Sequence, residues 1–535
     1  MNFAQRQAVI TRYLAALRAV GDAEVGGVRV RDSLLCGNTD LWAASELRES
    51  SLWRDSTLFD QIGALVEQQI PDDYQTEKLR RRRTLQTTRL GVRLRSVAAW
   101  SRALLHAIKR TTSDSLDADI IFVEYWPSTV VVDEQRPENW SSPYFRSLPN
   151  ALRDTGYTVG FAHLHADGPV TVPPSNVRES FNALTSRDPH HVLFADYHGF
   201  STWLGALRTW LSIIRRAPKP SKVGIETSAH PDAHRLWRWW GAKYARSVFG
   251  SHAVRNCLVS EFARRLVADN QRTQLWVLAF EGQSWESCLT RQLDAAGARW
   301  IPYVHTMMRP WDLRAHTFLS EVPPRCLVVH GQHDHDELQQ RGVRLVHVEA
   351  LRYQQLGEVA EVAGKRAAST TPRDRRWLVV GGADCQASTK QLADLINAAT
   401  LNGIERKLVV KWHPQCRRPN DLVHPFLEWS NQPLHELARS VDAALMVGSA
   451  APLDTYLAGV PSCSFAEISG LSMTPIEEGD FFHLAIDATD AVHWLAAADS
   501  RRNESPPVSQ YFNTDERLPR WRALVADVMT SMPRS

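Results

Sequence analysis

Between residues 119 and 486 the chain alternates short apolar runs with longer stretches of helical spacing, the pattern of parallel sheets covered by helices on both faces. Runs at 119–125, 157–163, 192–197, 274–280, 300–304, 326–329 and 344–348 read as strands. Stretches at 142–153 and 233–269, and one beginning at Ser284, read as helices between them. A polar segment at 366–375 reads as a linker. A second series follows, with strands at 377–380, 407–412, 443–447, 462–465 and 483–486. The expected fold is α/β, two Rossmann-like domains facing a cleft. The expected divisions are a mostly helical N-terminal extension (1–115), an N-terminal acceptor domain (116–365), the linker, a C-terminal nucleotide-donor domain (376–500) and a tail helix (501–535).

A chain of 535 residues is too long for one core, which agrees with that division. No apolar run approaches the length of a membrane span, and the first residues lack the apolar stretch of a secretion signal. The seven cysteines are scattered, odd in number and never spaced Cys-x-x-Cys, so reduced cytoplasmic thiols are expected. A net charge of +3 gives no reason to expect a nucleic-acid partner. The distribution of charge is more informative. From Lys78 to Arg110 there is no acidic residue, Arg80 to Arg83 form an unbroken block, and leucines, valines and Trp100 are interleaved. Such a segment either lies on an anionic membrane surface or packs on the body by its apolar side.

Two motifs carry chemistry. Residues 407–414 read Lys-Leu-Val-Val-Lys-Trp-His-Pro, a strand that stops on His413 and Pro414. Residues 443–461 read as a buried strand, a turn at Gly448 and Ser449, and a helix ending in Gly459-Val460-Pro461. His413 and Ser449 therefore fall at carboxyl ends of parallel strands, where open α/β sheets bind ligands. An imidazole and a hydroxyl at a helix N-terminus suit an anionic phosphate, and Lys411 projects to the same side as His413. Taken singly, a histidine at a strand end is more often a satisfied structural residue, and it is the convergence with Lys411 and Ser449 that favours a phosphate site. Gly381 and Gly382 follow the first strand of the second series and permit close backbone approach to a nucleotide. His330, His333, Asp334, His335 and Asp336 are metal-capable, but Asp334 there reads as a helix start, and no metal site is expected. His163, His165 and Asp167 read as a solvated loop after the second strand.

Lys-x-His-Pro followed by Ser-x-x-x-x-Asp-x-x-x-x-Gly-x-Pro resembles the C-terminal half of bacterial GT-B transferases that use cytidine-activated donors, including CMP-sialic acid and CMP-Kdo transferases and polymerases of the CDP-glycerol type. The resemblance implies a GT-B fold in which His413 contacts the nucleotide phosphate and Ser449 assists. Lys411, Pro414, Gly448, Asp454, Gly381 and Gly382 complete that site. Asp454 stands where such families usually carry Glu, and Ala450 where a second Ser is common. Bacterial sialyltransferases of this architecture also place an acid before Gly at an N-domain strand end. Phe280-Glu281-Gly282 matches that position and implies Glu281 as general base, with Glu286 as the second candidate; the alternative is that Glu281 caps the helix that follows. Residues 280–286, 303–314 and 350–353 are also similar to bacterial surface-carbohydrate biosynthesis proteins of the O-antigen, capsule or lipopolysaccharide kind. His305, Arg309 and Arg352 are the substrate-binding candidates. The implied activity is metal-independent transfer of a CMP-activated ulosonic acid, such as Kdo or a sialic-acid-like sugar, onto a bacterial surface glycan that is free or lipid-linked. The implied enzyme needs no cofactor beyond its nucleotide-sugar donor and works in the cytoplasm, peripherally on the inner membrane. A CDP-polyol phosphotransferase and a non-catalytic GT-B scaffold in a glycan assembly complex are the alternatives.

Overall fold

The computed structural model describes residues 3–49, 89–108, 115–126, 140–165, 173–308, 313–321, 324–331, 338–339, 343–354, 376–382, 385–413, 416–419, 422–446, 452–465, 474, 476, 478–479, 481–498 and 511–531. Arg80 to Arg83, Arg309, the linker at 366–375, Pro414, Gly448 and Ser449 lie outside them.

Seven strands form the first sheet: β1 (Ile120–Trp126), β2 (Val159–His165), β3 (His191–Leu193), β4 (Leu275–Phe280), β5 (Trp300–Val304), β6 (Leu327–Val329) and β7 (Leu345–His347). All pair in parallel, in the order β3-β2-β1-β4-β5-β6-β7. Six more form the second: β8 (Arg376–Val380), β9 (Lys407–Lys411), β10 (Leu427–Trp429), β11 (Ala443–Met446), β12 (Ser462–Phe465) and β13 (Phe482–Ala485). These too are all parallel, ordered β10-β9-β8-β11-β12-β13. Each sheet is doubly wound and reverses direction beside its first strand, between β1 and β4 and between β8 and β11. Tandem sheets of this kind are the GT-B plan expected from the sequence.

The strands read well because both of their faces are buried. β1, β4 and β5 are apolar almost throughout, β2 is buried along its whole length, and alternation is lost. Three expectations change. The third strand stops at Leu193, because the Asp196 carboxylate accepts from the Leu193 amide at 3.0 Å and turns the chain into a 3-10 segment, Phe194–Tyr197. The long helix over 233–269 is two helices, Pro231–Phe249 and Ser251–Asp269. They part at Gly250, where a Cβ would stand 2.6 Å from the Arg246 carbonyl oxygen. Between residues 142 and 153 only Leu148–Arg153 is α-helical, after a turn.

One face of the first sheet shares a core with the N-terminal helices α1 (Phe3–Asp22), α2 (Leu41–Glu49) and α3 (Arg89–Ala107), through Leu17, Trp42 and Trp100. The other face is covered by Phe145, Leu148 and the last helix, α4 (Pro519–Ser531), which contributes Trp521, Leu524 and Val528. A buried indole removes roughly 200 Å² from water, worth about 5 kcal/mol as an upper estimate, so Trp521 is a strong anchor for this return crossing. Glu349 reinforces it by accepting from the Arg520 and Trp521 amides at 2.9 and 3.1 Å, at the helix's positive end. The two sheets meet through an apolar cluster of Met307, Ala350 and Tyr353 with Leu457, Ile476, Phe482 and Phe512.

Helix α3 packs on the body by one side and leaves the other exposed. Trp100 packs edge-on against Trp203, and the Ser96 hydroxyl donates to the Phe249 carbonyl. Leu94, Val97, Leu105 and Ile108 share the opposite side and are about 60 % exposed or more. Among the described residues no helix is long and apolar enough to cross a membrane. The cysteine expectation is corrected: Cys385 and Cys416 form a disulfide, their Cα atoms 5.4 Å apart. Their separation of 31 residues hid the pair, because β9 carries Cys416 back beside the helix that Cys385 begins.

Candidate active site at the cleft

Strand β4 delivers Glu281 at the carboxyl end of the first sheet, next to its point of reversal, and a helix from Ser284 to Ala295 follows. The turn between them is tightly held. Gly282 takes φ +67°, and a Cβ there would stand 2.8 Å from the carbonyl carbon of Arg314, so only glycine fits. Glu286 is fully buried, and its carboxylate accepts from the amides of Glu281 (3.1 and 3.2 Å) and Gly282 (2.8 Å). Burial and the nearby Glu281 push the Glu286 carboxyl well up, while the backbone amides of Glu281 and Gln283 and the charge of Arg314 pull it down. Both of its oxygens are committed to the backbone, which gives Glu286 the place of a turn clamp and leaves Glu281 as the acid that faces outward.

The Glu281 side chain is about a quarter exposed. Gln283 Nε2 donates to its Oε2 at 3.1 Å, and His305 Nε2 stands 3.4 Å from its Oε1. Burial lowers the His305 pKa to about 4 despite the opposing pull of Glu281, so the ring is neutral at pH 7. His305 thus flanks the Glu281 carboxyl on one side. Tyr144 lies edge-on over His305, with ring centroids 4.8 Å apart. Tyr125, at the end of β1, accepts a hydrogen bond from the Trp285 indole. Burial, with Glu281 and Glu286 close by, raises Tyr125 well above the usual phenol range.

From the loop after β7, Arg352 reaches the second domain. Its Nη2 is 4.0 Å from Asp454 Oδ2, on the short helix Pro452–Leu457. Burial raises the Asp454 carboxyl, and Arg352 opposes that. The fold therefore gathers Glu281, His305, Arg352 and Asp454 around the cleft, although they come from four separate stretches of sequence.

The C-terminal motif is arranged differently. Lys411 donates to the Gln432 carbonyl at 2.5 Å, so its ammonium ties β9 to the segment after β10. Gly381 is required by packing, because a Cβ would lie 2.8 Å from the Trp412 ring. The Gly382 amide is taken by the Ser388 hydroxyl at 3.0 Å. His413 is half-buried at the end of its strand, and its carbonyl accepts from the Cys416 amide at 2.9 Å. The strands leading to His413 and Ser449 are not neighbours, since β8 lies between them and puts Gly381 and Gly382 at the centre of that edge.

The motif reading missed Tyr125, Tyr144 and Trp285; only the aromatic residues of strand and helix segments signalled them. The histidines read as a solvated loop, His163 and His165, are buried inside β2. His330 is also buried, against Tyr303, Tyr353 and Phe512, and burial pulls its pKa down to about 3. Among the described residues no group of three or more His, Cys, Asp or Glu side chains is placed to hold a metal ion.

No protein-family model matches the chain, and no curated protein matches it. Solved structures with a similar course include a UDP-GlcNAc 2-epimerase from Methanocaldococcus jannaschii in complex with UDP-GlcNAc and UDP. It is 8 % identical, with a TM-score of 0.41, covering 76 % of this chain and 99 % of that one. The glycosyltransferase SnogD from Streptomyces nogalater is 12 % identical, with a TM-score of 0.33, covering 78 % of this chain and 99 % of that one. A glycosyltransferase from Rickettsia africae is 8 % identical, with a TM-score of 0.39, covering 77 % of this chain and all of that one. Likenesses this loose identify neither donor nor reaction.

Proposed function

We propose that the chain is a GT-B glycosyltransferase that moves a sugar from a nucleotide donor to a glycan hydroxyl, with Glu281 as general base. The observation that carries this reading is the Glu281 turn. A carboxylate is held at the sheet's reversal point, clamped from behind by Glu286, flanked by neutral His305, and near Arg352, which pairs with Asp454 of the second domain. In the reaction the acceptor oxygen forms a bond to the anomeric carbon and its proton passes to Glu281. The bond from the anomeric carbon to the phosphate oxygen breaks, and the nucleotide leaves with the electron pair. His413 and the helix start after β11 would meet the phosphate charge, and Arg352 a sugar carboxylate.

The Lys-x-His-Pro resemblance supports a CMP-activated ulosonic acid as donor, with a bacterial surface glycan as acceptor and no metal in the reaction. Lys411 is tied to Gln432 in the described state, so in this reading His413 carries more of the phosphate contact than the motif alone implies. Replacing Glu281 by Gln should cut turnover roughly a hundredfold or more while leaving fold and nucleotide binding intact. Full activity in that variant removes the base assignment. Nucleotide binding without transfer to any glycan acceptor would favour the scaffold alternative.

The exposed stripe of α3, flanked by Arg93, Arg95 and Arg102, supports peripheral attachment to an anionic membrane at the cytoplasmic face. Vesicle co-sedimentation should need anionic lipid and weaken when Leu94, Val97 and Leu105 become Gln. Equal binding by that triple variant, or none by the wild type at low salt, sinks the attachment.

A further inference from the structure

A covalent bond crosses the carboxyl edge of the second sheet. Cys385 opens the helix after β8 (Cys385–Leu401), and Cys416 lies just beyond the end of β9. β8 and β9 are parallel neighbours, so the disulfide bridges the two segments that leave the sheet at Gly381–Gly382 and at His413.

His413 lies between two ties. The Lys411 carbonyl accepts from the Gly381 amide at 2.9 Å, and the His413 carbonyl accepts from the Cys416 amide at 2.9 Å. The first tie is the rung at Lys411, and the second is the cross-link at Cys416, three residues past His413. The Cys416 sulfur stands 3.6 Å from the Gly382 carbonyl oxygen, which seats this turn against the glycines. Further on, the exposed Arg418 lies over the Trp429 ring, 4.5 Å from its centroid. Opening the disulfide removes the covalent tie and leaves contacts that thermal motion can break.

The bond is within reach of solvent. Cys385 is exposed and Cys416 partly so, the setting of a labile cross-link and not of a buried structural one. The free thiols of Cys257, Cys288, Cys326 and Cys463 differ: burial pushes each of them up and keeps it protonated and unreactive.

We propose that Cys385–Cys416 is a thiol–disulfide switch on the nucleotide half: closed, it holds the His413 turn in place, and opened by a dithiol it releases the turn and weakens nucleotide binding. In the opening step a thiolate of the dithiol bonds to the Cys385 sulfur. The Cys385–Cys416 bond breaks, and Cys416 leaves with the electron pair and takes a proton. The second thiolate of the dithiol then attacks the dithiol's own sulfur in the mixed disulfide, which frees Cys385 and leaves the reagent oxidised. Two electrons have passed to the protein, and a small disulfide drives the reverse. The effect on nucleotide rests on the phosphate role given to His413 above; the opening of the bond and the release of the turn do not.

The test reduces the full chain with dithiothreitol under native conditions, removes the reagent, and compares the two forms. Thiol titration, amide hydrogen exchange and calorimetric titration with CMP are the readouts. Reduction should yield two further thiols, one from each partner of the bond. Without nucleotide, the Cys416 amide should exchange about tenfold faster in the reduced form. A turn that keeps its binding arrangement about a fifth of the time would bind CMP about fivefold more weakly. Oxidised glutathione should reverse all three changes, and the double variant Cys385→Ser, Cys416→Ser should match the reduced form and ignore both reagents. No new thiols under native conditions, unchanged exchange at Cys416, or equal CMP affinity in the two forms each overturns the switch. CMP binding by neither form counts against the nucleotide reading instead, and the exchange measurement then decides the switch by itself.

Discussion

The two sheets share one winding, yet their carboxyl edges are built from different materials. The first invests buried polar groups in its edge: Glu286 clamps a turn, His305 and Gln283 hold Glu281, and Arg352 reaches outward. The second presents a glycine turn, a half-buried His413 and a lysine already occupied by a carbonyl. A group that moves a proton must be fixed to within a few tenths of an ångström, whereas a phosphate can be met by backbone amides and one imidazole as it arrives. The contrast between a rigidly held edge and a plainer one fits the transfer proposed above, with chemistry in the first half and donor binding in the second.

The sharpest way to break that contrast is to compare the two acids. Glu281→Gln should lose activity at unchanged melting temperature. Glu286→Gln puts an NH2 against backbone N–H donors in a buried site, so it should cost roughly 2–3 kcal/mol of stability and lose activity with the turn. Paired melting curves and rate measurements separate the two. A stable, inactive Glu286→Gln beside an active Glu281→Gln would transfer the base role to Glu286.

A smaller effect is expected at Arg352. Arg352→Met should raise KM for an acidic sugar donor about tenfold, the scale of one charge-assisted contact at a part-exposed site, with little change in melting. No change in KM would confine Arg352 to joining the domains through Asp454.

The smallest effect concerns pH and Glu124. Its folded pKa of about 8 lies above the ordinary glutamate value, so between the two the native state holds a proton that the unfolded chain has released. That contribution is fully present below the unfolded pKa and is lost as pH rises through about 8. Glu124→Gln keeps the neutral geometry and removes the titration, so the decline of Tm between pH 5 and 8 should flatten by a few degrees relative to wild type. A decline of equal slope in both proteins contradicts a protonated Glu124.

Much of this was legible in sequence, and the rest was hidden for physical reasons. Parallel strands buried on both faces read as unbroken apolar runs, so 300–304 and 462–465 were placed to the residue. The three-residue edge strand β10, only partly buried, left no such signature. Glu281 was visible because an acid after an apolar strand marks the sheet's ligand edge. The clamp role of Glu286 was not, because it depends on a turn geometry that only Gly282 permits. The spatial order of strands is also silent in sequence, and so β8 between the strands of the two phosphate motifs, the Cys385–Cys416 pair and the Glu124–His163–His191 chain all emerged only in three dimensions.

The division of labour between the halves is tested most directly by titrating CMP into the wild-type chain, Glu281→Gln and His413→Ala under one set of conditions. The account predicts that CMP binds the wild type and Glu281→Gln with the same affinity, and His413→Ala at least tenfold more weakly, a loss of about 1.4 kcal/mol or more. Equal CMP affinity in all three proteins, or loss of binding in Glu281→Gln alone, would contradict it.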